Sequence, residues 1–235
     1  MNTQIIHTLL LGGAFLALFA TGELLYHFAK MQAEYSRKLI HFGTGILTLL
    51  FPVLLENHWF VLLLCASFAL ILRLSLRFNF LKSINAIDRK SHGSISYPAA
   101  VYGTFLAYIY PVSSAQGHDL RSYYIPVLVL AICDPLAALS GKKFPFRPFK
   151  AGNGKKTVMG TSVFFVSAFF LCLSLLSMDS CQPLSSSLIV AFTLAAVTTL
   201  TEAFSRNGFD NLLIPAAAIL VLYFFSHFTN LYSAC

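Results

Sequence analysis

An aspartate interrupts an apolar segment of this 235-residue chain. In AICDPLAALSGKK, residues 131–143, Asp134 lies inside a run that continues to Leu139. Placing a carboxylate near the middle of a bilayer costs about 2.5–3.5 kcal/mol, so such residues usually face a cavity and have a partner. Asp134 is therefore a candidate functional residue, and the other polar clusters of the chain are its candidate partners.

The segment EYSRKLIHFGTG carries polar residues at i, i+3, i+4 and i+7, a spacing that places them on one face of a helix. They are Glu34, Arg37, Lys38 and His41. Arg37 and Lys38 suit headgroup anchoring as well as a site, because basic residues are common at the ends of membrane helices. His41 lies deeper, where a lone histidine is commonly a core residue.

A second segment, DRKSHGSISYP, places the basic pair Arg89 and Lys90 before a helix that is entered through Tyr97-Pro98. Two interpretations explain this pattern equally well: an ordinary basic loop, or contacts of the two basic side chains to phosphate.

The segment GKKFPFRPFKAGNGKKT, residues 141–157, has six basic residues and no acid. Electrostatic anchoring to lipid explains the charge. It does not explain the glycines that precede Lys155, Lys156 and Thr157 at a predicted helix start. Backbone N–H groups of a Gly-rich turn, a helix N-terminus and lysines together form a phosphate cradle. The segment is not a Walker A loop, which would need Gly at 149 and Ser or Thr at 156.

A fourth segment, TEAFSRNGFDNLLIP, contains Glu202 in an apolar helix and an Asn-Gly turn at 207–208. Asp210 and Asn211 open the next helix, where Asp210 also suits an N-cap. Three acids near phosphate-binding cations are typical of Mg²⁺ holding a nucleotide. The predicted metal ligands are Asp134, Glu202 and Asp210. Phosphoryl transfer needs mainly metal, cations and alignment, and a site at headgroup depth indicates an acceptor dissolved in the bilayer.

The composition predicts an integral membrane protein of all-α class, a polytopic bundle forming a single domain over residues 1–235. The chain is 57% hydrophobic and 11% charged, with mean hydropathy +0.73, whereas soluble domains carry about 25% charged residues. About 20 apolar residues span a bilayer as a helix. The predicted spans, about eight, are 5–29, 39–56, 58–76, 95–112, 123–141, 158–178, 186–203 and 211–231.

The basic residues predict the orientation, because Lys and Arg collect in cytoplasmic loops. With both termini on the non-cytoplasmic side, 15 of the 16 basic residues lie at the cytoplasmic face, and Arg121 is the exception. The predicted cytoplasmic loops are 30–38, 77–94, 142–157 and 204–210. This distribution explains the net charge of +7 by a membrane face, so nucleic acid is not expected as a partner. All four polar clusters reach that face, which we expect to lie on the cytoplasmic side of the cell inner membrane or its equivalent.

The remaining motifs exclude other classes. The five cysteines form no CxxC pair and the seven histidines no HxxxH or HExxH pattern, so a zinc site is not expected. The N-terminal apolar stretch is too long for a signal-peptide core and lacks a basic region before it, so we expect a retained helix.

The chain resembles the polyprenol kinase family of lipid-alcohol kinases, and most closely its phytol kinase branch. The resemblance covers most of the chain, from RKLIH to DNLLIP. It is carried by RKLIH, RKSHGSISYP, DPLAALSGKKF, KKTVMGTSVFF and EAFSRNGFDNLLIP in this order. Two positions depart from the pattern of the family, since Pro145 replaces a glycine and Cys133 precedes the aspartate.

The resemblance implies a multi-span membrane kinase that takes phosphate from CTP with Mg²⁺ and transfers it to an isoprenoid alcohol or diacylglycerol. By this analogy Asp134 coordinates the metal, Arg37 stabilises the transferred group, and Asp210 or His41 is the base. The implied nucleotide-binding residues are Lys38, Arg89, Lys90, Gly141, Lys142, Gly154, Lys155, Lys156, Thr157, Gly160 and Asn211.

Two alternatives remain open from the sequence. A lipid-phosphate cytidylyltransferase would use the same nucleotide, metal and membrane geometry. A transporter or lipid-binding membrane protein would need polar groups spread across the bilayer, whereas here they collect at one face.

Overall fold

A computed structural model describes residues 3–78, 80–85, 93–110, 119–151, 154–178 and 182–228. Arg89 and Lys90 lie outside these residues. The described chain is a bundle of helices with one small hairpin, so the predicted all-helical class is confirmed apart from two short strands. Within the described ranges, seven helical segments are long and apolar enough to cross a membrane.

The membrane-length segments agree with seven of the predicted spans to within a few residues, apart from the earlier start of the second. They are α1 (Thr3–His27), α2 (Ala33–Thr48) continuing into α3 (Phe51–Leu54), α4 (His58–Phe78), α7 (Leu120–Leu128) continuing through a π turn (Val129–Cys133) into α8 (Asp134–Lys143), α9 (Val158–Ser177), α10 (Leu184–Phe204) and α11 (Asp210–Phe228). The shorter elements are α5 (Lys82–Asn85), α6 (Gly93–Ile109), β1 (Pro148–Ala151) and β2 (Gly154–Thr157).

Two predicted spans differ from the observed helices. The span predicted at 95–112 corresponds to α6, whose 17 residues are fewer than the roughly 20 that cross a bilayer without tilt or thinning. The span predicted at 39–56 begins earlier, because α2 starts at Ala33. Arg37 and Lys38 therefore lie inside a helix and not in the preceding loop.

Large apolar side chains cover the outside of the bundle as well as its core. Leu10, Phe170 and Leu220 are each more than 60% exposed on long helices, which is the pattern of a lipid-facing surface. Phe105 and Tyr123 are fully buried in the core, and the Tyr123 hydroxyl donates to the Thr48 carbonyl at 2.9 Å. The interior of the bundle is therefore mainly apolar, and the polar residues of the candidate site are exceptions within it.

Loops that the sequence places on one membrane face do meet at one end of the bundle. The Ser36 hydroxyl on α2 donates to the Ser83 carbonyl on α5 at 2.8 Å. The Asn211 amide at the start of α11 donates to the Gly93 carbonyl at the start of α6, also at 2.8 Å. These bonds bring segments far apart in sequence to a common end, which we call the polar end.

The hairpin β1–β2 lies at the polar end and leads directly into α9. The strands are antiparallel, with Phe149 opposite Lys156 and Pro148 opposite Thr157. Thr157 is the N-cap of α9, and its Oγ1 accepts a hydrogen bond from the Gly160 N–H at 3.0 Å, a common way to satisfy the first turn of a helix. The helix start predicted at Lys155-Lys156-Thr157 is thus present, preceded by a strand.

A glycine contact positions the helix that carries Asp134. A Cβ at Gly45 on α2 would lie 2.2 Å from the Ala131 Cβ of the π turn and 3.1 Å from the Tyr97 hydroxyl. Only a residue without a side chain lets α2 approach the π turn this closely.

We predict that Gly45→Ala destabilises the bundle by about 1–3 kcal/mol, because the added methyl overpacks a closed contact. Gly103→Ala is the matched control, since a Cβ at this helical position meets nothing within 4 Å. Thermal unfolding of the purified protein in detergent measures both variants. Equal midpoints for the two variants would contradict the predicted contact.

Candidate functional site

A cleft of about 810 Å³ opens at the polar end of the bundle. Its volume is within the range of about 300–1,000 Å³ that is usual for small-molecule sites. Residues from α2, α8, the hairpin, α9, α10 and α11 form its walls. The predicted site residues among them are Arg37, Lys38, His41, Asp134, Gly141, Lys142, Lys155, Lys156, Thr157, Gly160, Glu202, Asp210 and Asn211.

Asp134 is buried and ion-paired at the base of this cleft. Its Oδ2 accepts a hydrogen bond from Lys38 Nζ at 2.6 Å, and the two side chains are 10% and 14% exposed. The Nε2 of His41 lies 3.9 Å from the same carboxylate oxygen. The polar face predicted for α2 is therefore present, and its Lys38 neutralises Asp134.

The backbone before Asp134 has an unusual conformation. Residues Val129–Cys133 form a π turn, and such turns are frequent at functional sites. Pro135 has no N–H, so it cannot donate to a carbonyl of the preceding turn. His41 Nε2 lies 3.0 Å from the Leu130 carbonyl in that turn. A carbonyl only accepts, so Nε2 carries the proton here and the other ring nitrogen is left to act as an acceptor.

Lys156 pairs with the other two acids of the cleft. Its ammonium group donates to Glu202 Oε1 at 2.7 Å and also to the Glu202 carbonyl. The Asp210 Oδ2 lies 3.9 Å from the same nitrogen. The hairpin is thus tied to the end of α10 and the start of α11, and two of the three predicted metal ligands share one lysine.

Two predicted phosphate-binding glycines allow α8 and α9 to meet closely. A Cβ at Gly141 would lie 2.6 Å from Thr157 Oγ1, and one at Gly160 would lie 2.8 Å from the Ala137 carbonyl. Both glycines line the cleft. Their observed role is packing, which brings the Thr157 cap beside the helix of Asp134.

Two buried polar atoms on the cleft wall have no hydrogen-bond partner among the described residues. They are Glu202 Oε2 and Thr161 Oγ1. The Glu202 side chain is 9% exposed, and an unpaired buried carboxylate oxygen is costly unless a ligand satisfies it. A cation or a donor that enters the cleft would do so.

The acids of the cleft can hold Mg²⁺ only if a bound ligand also coordinates the ion. In the described part of the chain, no group of three His, Cys, Asp or Glu side chains is arranged to hold a metal. Mg²⁺ typically keeps several waters and takes one or two carboxylates plus substrate phosphates. The free oxygen of Glu202 and the neighbouring Asp210 meet that requirement.

Several residues of the site were not expected from the sequence. Thr161, Ser205 and Gln32 line the cleft but carry no spacing signal that would have identified them. Glu34 also lines it, and its place on the i, i+3, i+4, i+7 face did point there. The Asn211 amide nitrogen donates one of its two N–H groups to the Gly93 carbonyl.

Comparison with known proteins shows which enzymes the chain resembles. The chain is 29% identical to "Phytol kinase" of Synechocystis sp. (strain ATCC 27184 / PCC 6803 / Kazusa) over 208 residues, which is 87% of this chain and 85% of that protein. No family model matches the chain, and no solved structure is significantly similar to it. With its apolar helices, the chain is an integral membrane protein, and its similarity to a phytol kinase extends over most of both chains.

We predict that Lys38→Met destabilises the protein, because it leaves Asp134 buried without its cation. The expected loss exceeds about 1 kcal/mol but stays below the 3–5 kcal/mol of fully enclosed pairs, since the cleft admits water. Adding Asp134→Asn to Lys38→Met should restore most of this loss. Measuring the unfolding free energy of both single variants and the double variant in detergent completes a double-mutant cycle. If the losses of the two single variants add up to that of the double variant, Lys38 and Asp134 are not coupled.

Proposed function

We propose that the protein is a CTP-dependent lipid-alcohol kinase acting on an isoprenoid alcohol of the phytol type. The observation that carries the proposal is the convergence of Asp134, Glu202 and Asp210 with Lys38 and Lys156 around one cleft at the polar end. The similarity to a phytol kinase supports the acceptor class.

The reaction would be CTP + R–OH → CDP + R–O–phosphate, with release of the hydroxyl proton. The bond between the γ-phosphorus and its bridging oxygen breaks, and a bond to the alcohol oxygen forms. Lys155 and Lys156 would steady the nucleotide phosphates and Arg37 the transferred group, which is how proteins accelerate such steps. Asp210 and His41 are the candidate groups for accepting the proton.

Mg²⁺ would be bound by the nucleotide phosphates and by two carboxylates at a time, either Glu202 with Asp210 or Asp134 with one of them. When bound, it would neutralise charge on the transferred phosphoryl group. Glu202 Oε2, which has no partner among the described residues, supports this assignment.

The proposed topology has about eight spans, with α6 as the eighth, and both termini on the non-cytoplasmic side. The polar end then faces the cytoplasm, where nucleotide is available. The basic residues of the loops at that end support this orientation.

The experiment is an assay of the purified protein in detergent with γ-labelled CTP, Mg²⁺ and a panel of lipid alcohols. We expect label in a lipid phosphate and release of CDP. Release of pyrophosphate with nucleotide attached to lipid would instead favour the cytidylyltransferase. Failure to transfer phosphate to any alcohol while CTP still binds would overturn the kinase proposal.

We predict that Asp134→Asn lowers turnover by at least about 100-fold, the range seen when a group that organises charge in a transition state is removed. Asp119→Asn is the matched control. Asp119 caps α7 by accepting from the Arg121 N–H, asparagine caps equally well, and the residue is not part of the cleft wall. Activity of Asp134→Asn near that of wild type would remove Asp134 from the site.

We predict that cysteines introduced at two surface positions differ in whether they are labelled in intact cells. Cys65, Cys133 and Cys172 are buried, so a Cys181→Ser, Cys235→Ser background has little reactive thiol. A membrane-impermeant maleimide should label Glu56→Cys in intact cells, and Lys143→Cys only after the membrane is permeabilised. The reverse pattern would place the cleft on the non-cytoplasmic side.

A further inference from the structure

A second, apolar cavity lies beside the cleft and deeper in the bundle. It has a volume of about 80 Å³ and is enclosed mainly by α1, α2, α4 and α6. Phe15, Phe51, Leu64 and Val101 are among its walls, and each of them is at least 95% buried. The chemistry described above uses none of these residues.

The two cavities are separated by a shared wall. Arg37, His41 and Asn211 line both of them, so each of these polar side chains borders the phosphate-binding cleft and the mouth of the apolar cavity. A molecule with its chain in the apolar cavity would present its end group at this wall.

The apolar cavity extends toward the middle of the bundle. On α2 its lining runs from Arg37 to Thr48, a rise of about 16 Å at 1.5 Å per residue. This is roughly half of the ~30 Å hydrocarbon core. The cavity therefore leads from headgroup depth to acyl-chain depth.

Most residues of the cavity wall are apolar, and two of its hydroxyl groups are hydrogen-bonded within the protein. The Thr48 hydroxyl donates to the Gly45 carbonyl at 2.8 Å, and the Tyr97 hydroxyl donates to the His41 carbonyl at 3.4 Å. Apolar cavities of this kind stay dry and take apolar ligands, as a cavity of about 150 Å³ does with benzene. At about half that volume, this cavity takes a short length of one aliphatic chain.

Resting on the proposed kinase activity, we infer that this apolar cavity binds the carbons next to the hydroxyl of a single-chain lipid alcohol. The hydroxyl then lies at the wall formed by Arg37, His41 and Asn211, facing the nucleotide in the cleft. Diacylglycerol does not fit, because its two ester groups lie beside the hydroxyl. They would bring ester oxygens and a second chain into a cavity of about 80 Å³ whose walls are mainly apolar, which is costly.

The first test compares acceptors with the wild-type protein. We expect phosphate transfer to phytol and to hexadecanol, and at least about tenfold lower kcat/KM for diacylglycerol. Equal or better use of diacylglycerol would overturn the cavity assignment and leave the kinase proposal standing. Transfer to none of the three would instead count against the kinase proposal itself.

The second test fills the cavity. Thr44 lines it, whereas Ile46, two residues further along α2, is 40% exposed on the outside of the bundle. Thr44→Phe should lower kcat/KM for phytol at least about tenfold, the effect of losing burial of about two methylenes. It should leave CTP affinity unchanged, and Ile46→Phe should leave both unchanged. Equal kcat/KM for the two variants would contradict the inference.

A third measurement does not depend on Thr44→Phe folding. A long-chain alcohol with a diazirine near its hydroxyl is photolysed with the wild-type protein, and the labelled peptides are identified by mass spectrometry. We expect label on cavity residues of α2, α4 or α6 that excess phytol competes away. Label confined to lipid-facing residues such as Phe170 or Leu220 would overturn the assignment.

Discussion

The pairing of buried lysines with buried carboxylates is the interaction on which the cleft depends. Lys38 on α2 holds Asp134 at the start of α8, and Lys156 on β2 holds Glu202 at the end of α10. Each acid is buried within a membrane-length helical segment, where an unpaired charge would be strongly unfavourable. Buried pairs of this kind add little net stability, but they make other arrangements of the same helices costly. The pairs therefore determine how the helices and the hairpin meet.

The backbone of the chain allows these pairs to form. Gly141 and Gly160 let α8 and α9 approach until Thr157 lies against the helix of Asp134. Asn207 and Gly208 both have positive φ, which gives the tight turn that brings α11 back beside α10. A side chain at Gly141 or Gly160 would push α8, which carries Asp134, away from α9 and from Thr157 beside Lys156.

Local features of the site follow from the sequence because their causes are local. The spacing of Glu34 to His41 predicts one helical face, and the Asn-Gly pair predicts a turn, since both depend only on neighbouring residues. Apolar runs of about 20 residues predicted most of the membrane helices. The clustering of basic residues in alternate loops predicted that these loops share one end of the bundle.

Other features were missed, either because they have no local cause or because their local composition indicates something else. Lys38 and Asp134 are 96 positions apart, and a single sequence contains no signal that pairs them. The β1–β2 hairpin was missed because a basic, Pro- and Gly-containing segment has the composition of a loop. The apolar cavity was not predictable either, because its Phe, Leu and Val residues are of the same types as those throughout the core.

Under the proposed kinase activity, the position of the cleft at one end of the bundle would determine where the product accumulates. A phosphate monoester carries charge that does not cross hydrocarbon unaided. Its long chain keeps it in the membrane. A product released from the cleft therefore stays in the leaflet on that side until another protein moves or consumes it. The orientation of the bundle would thus make the synthesis of the lipid phosphate asymmetric between the two leaflets.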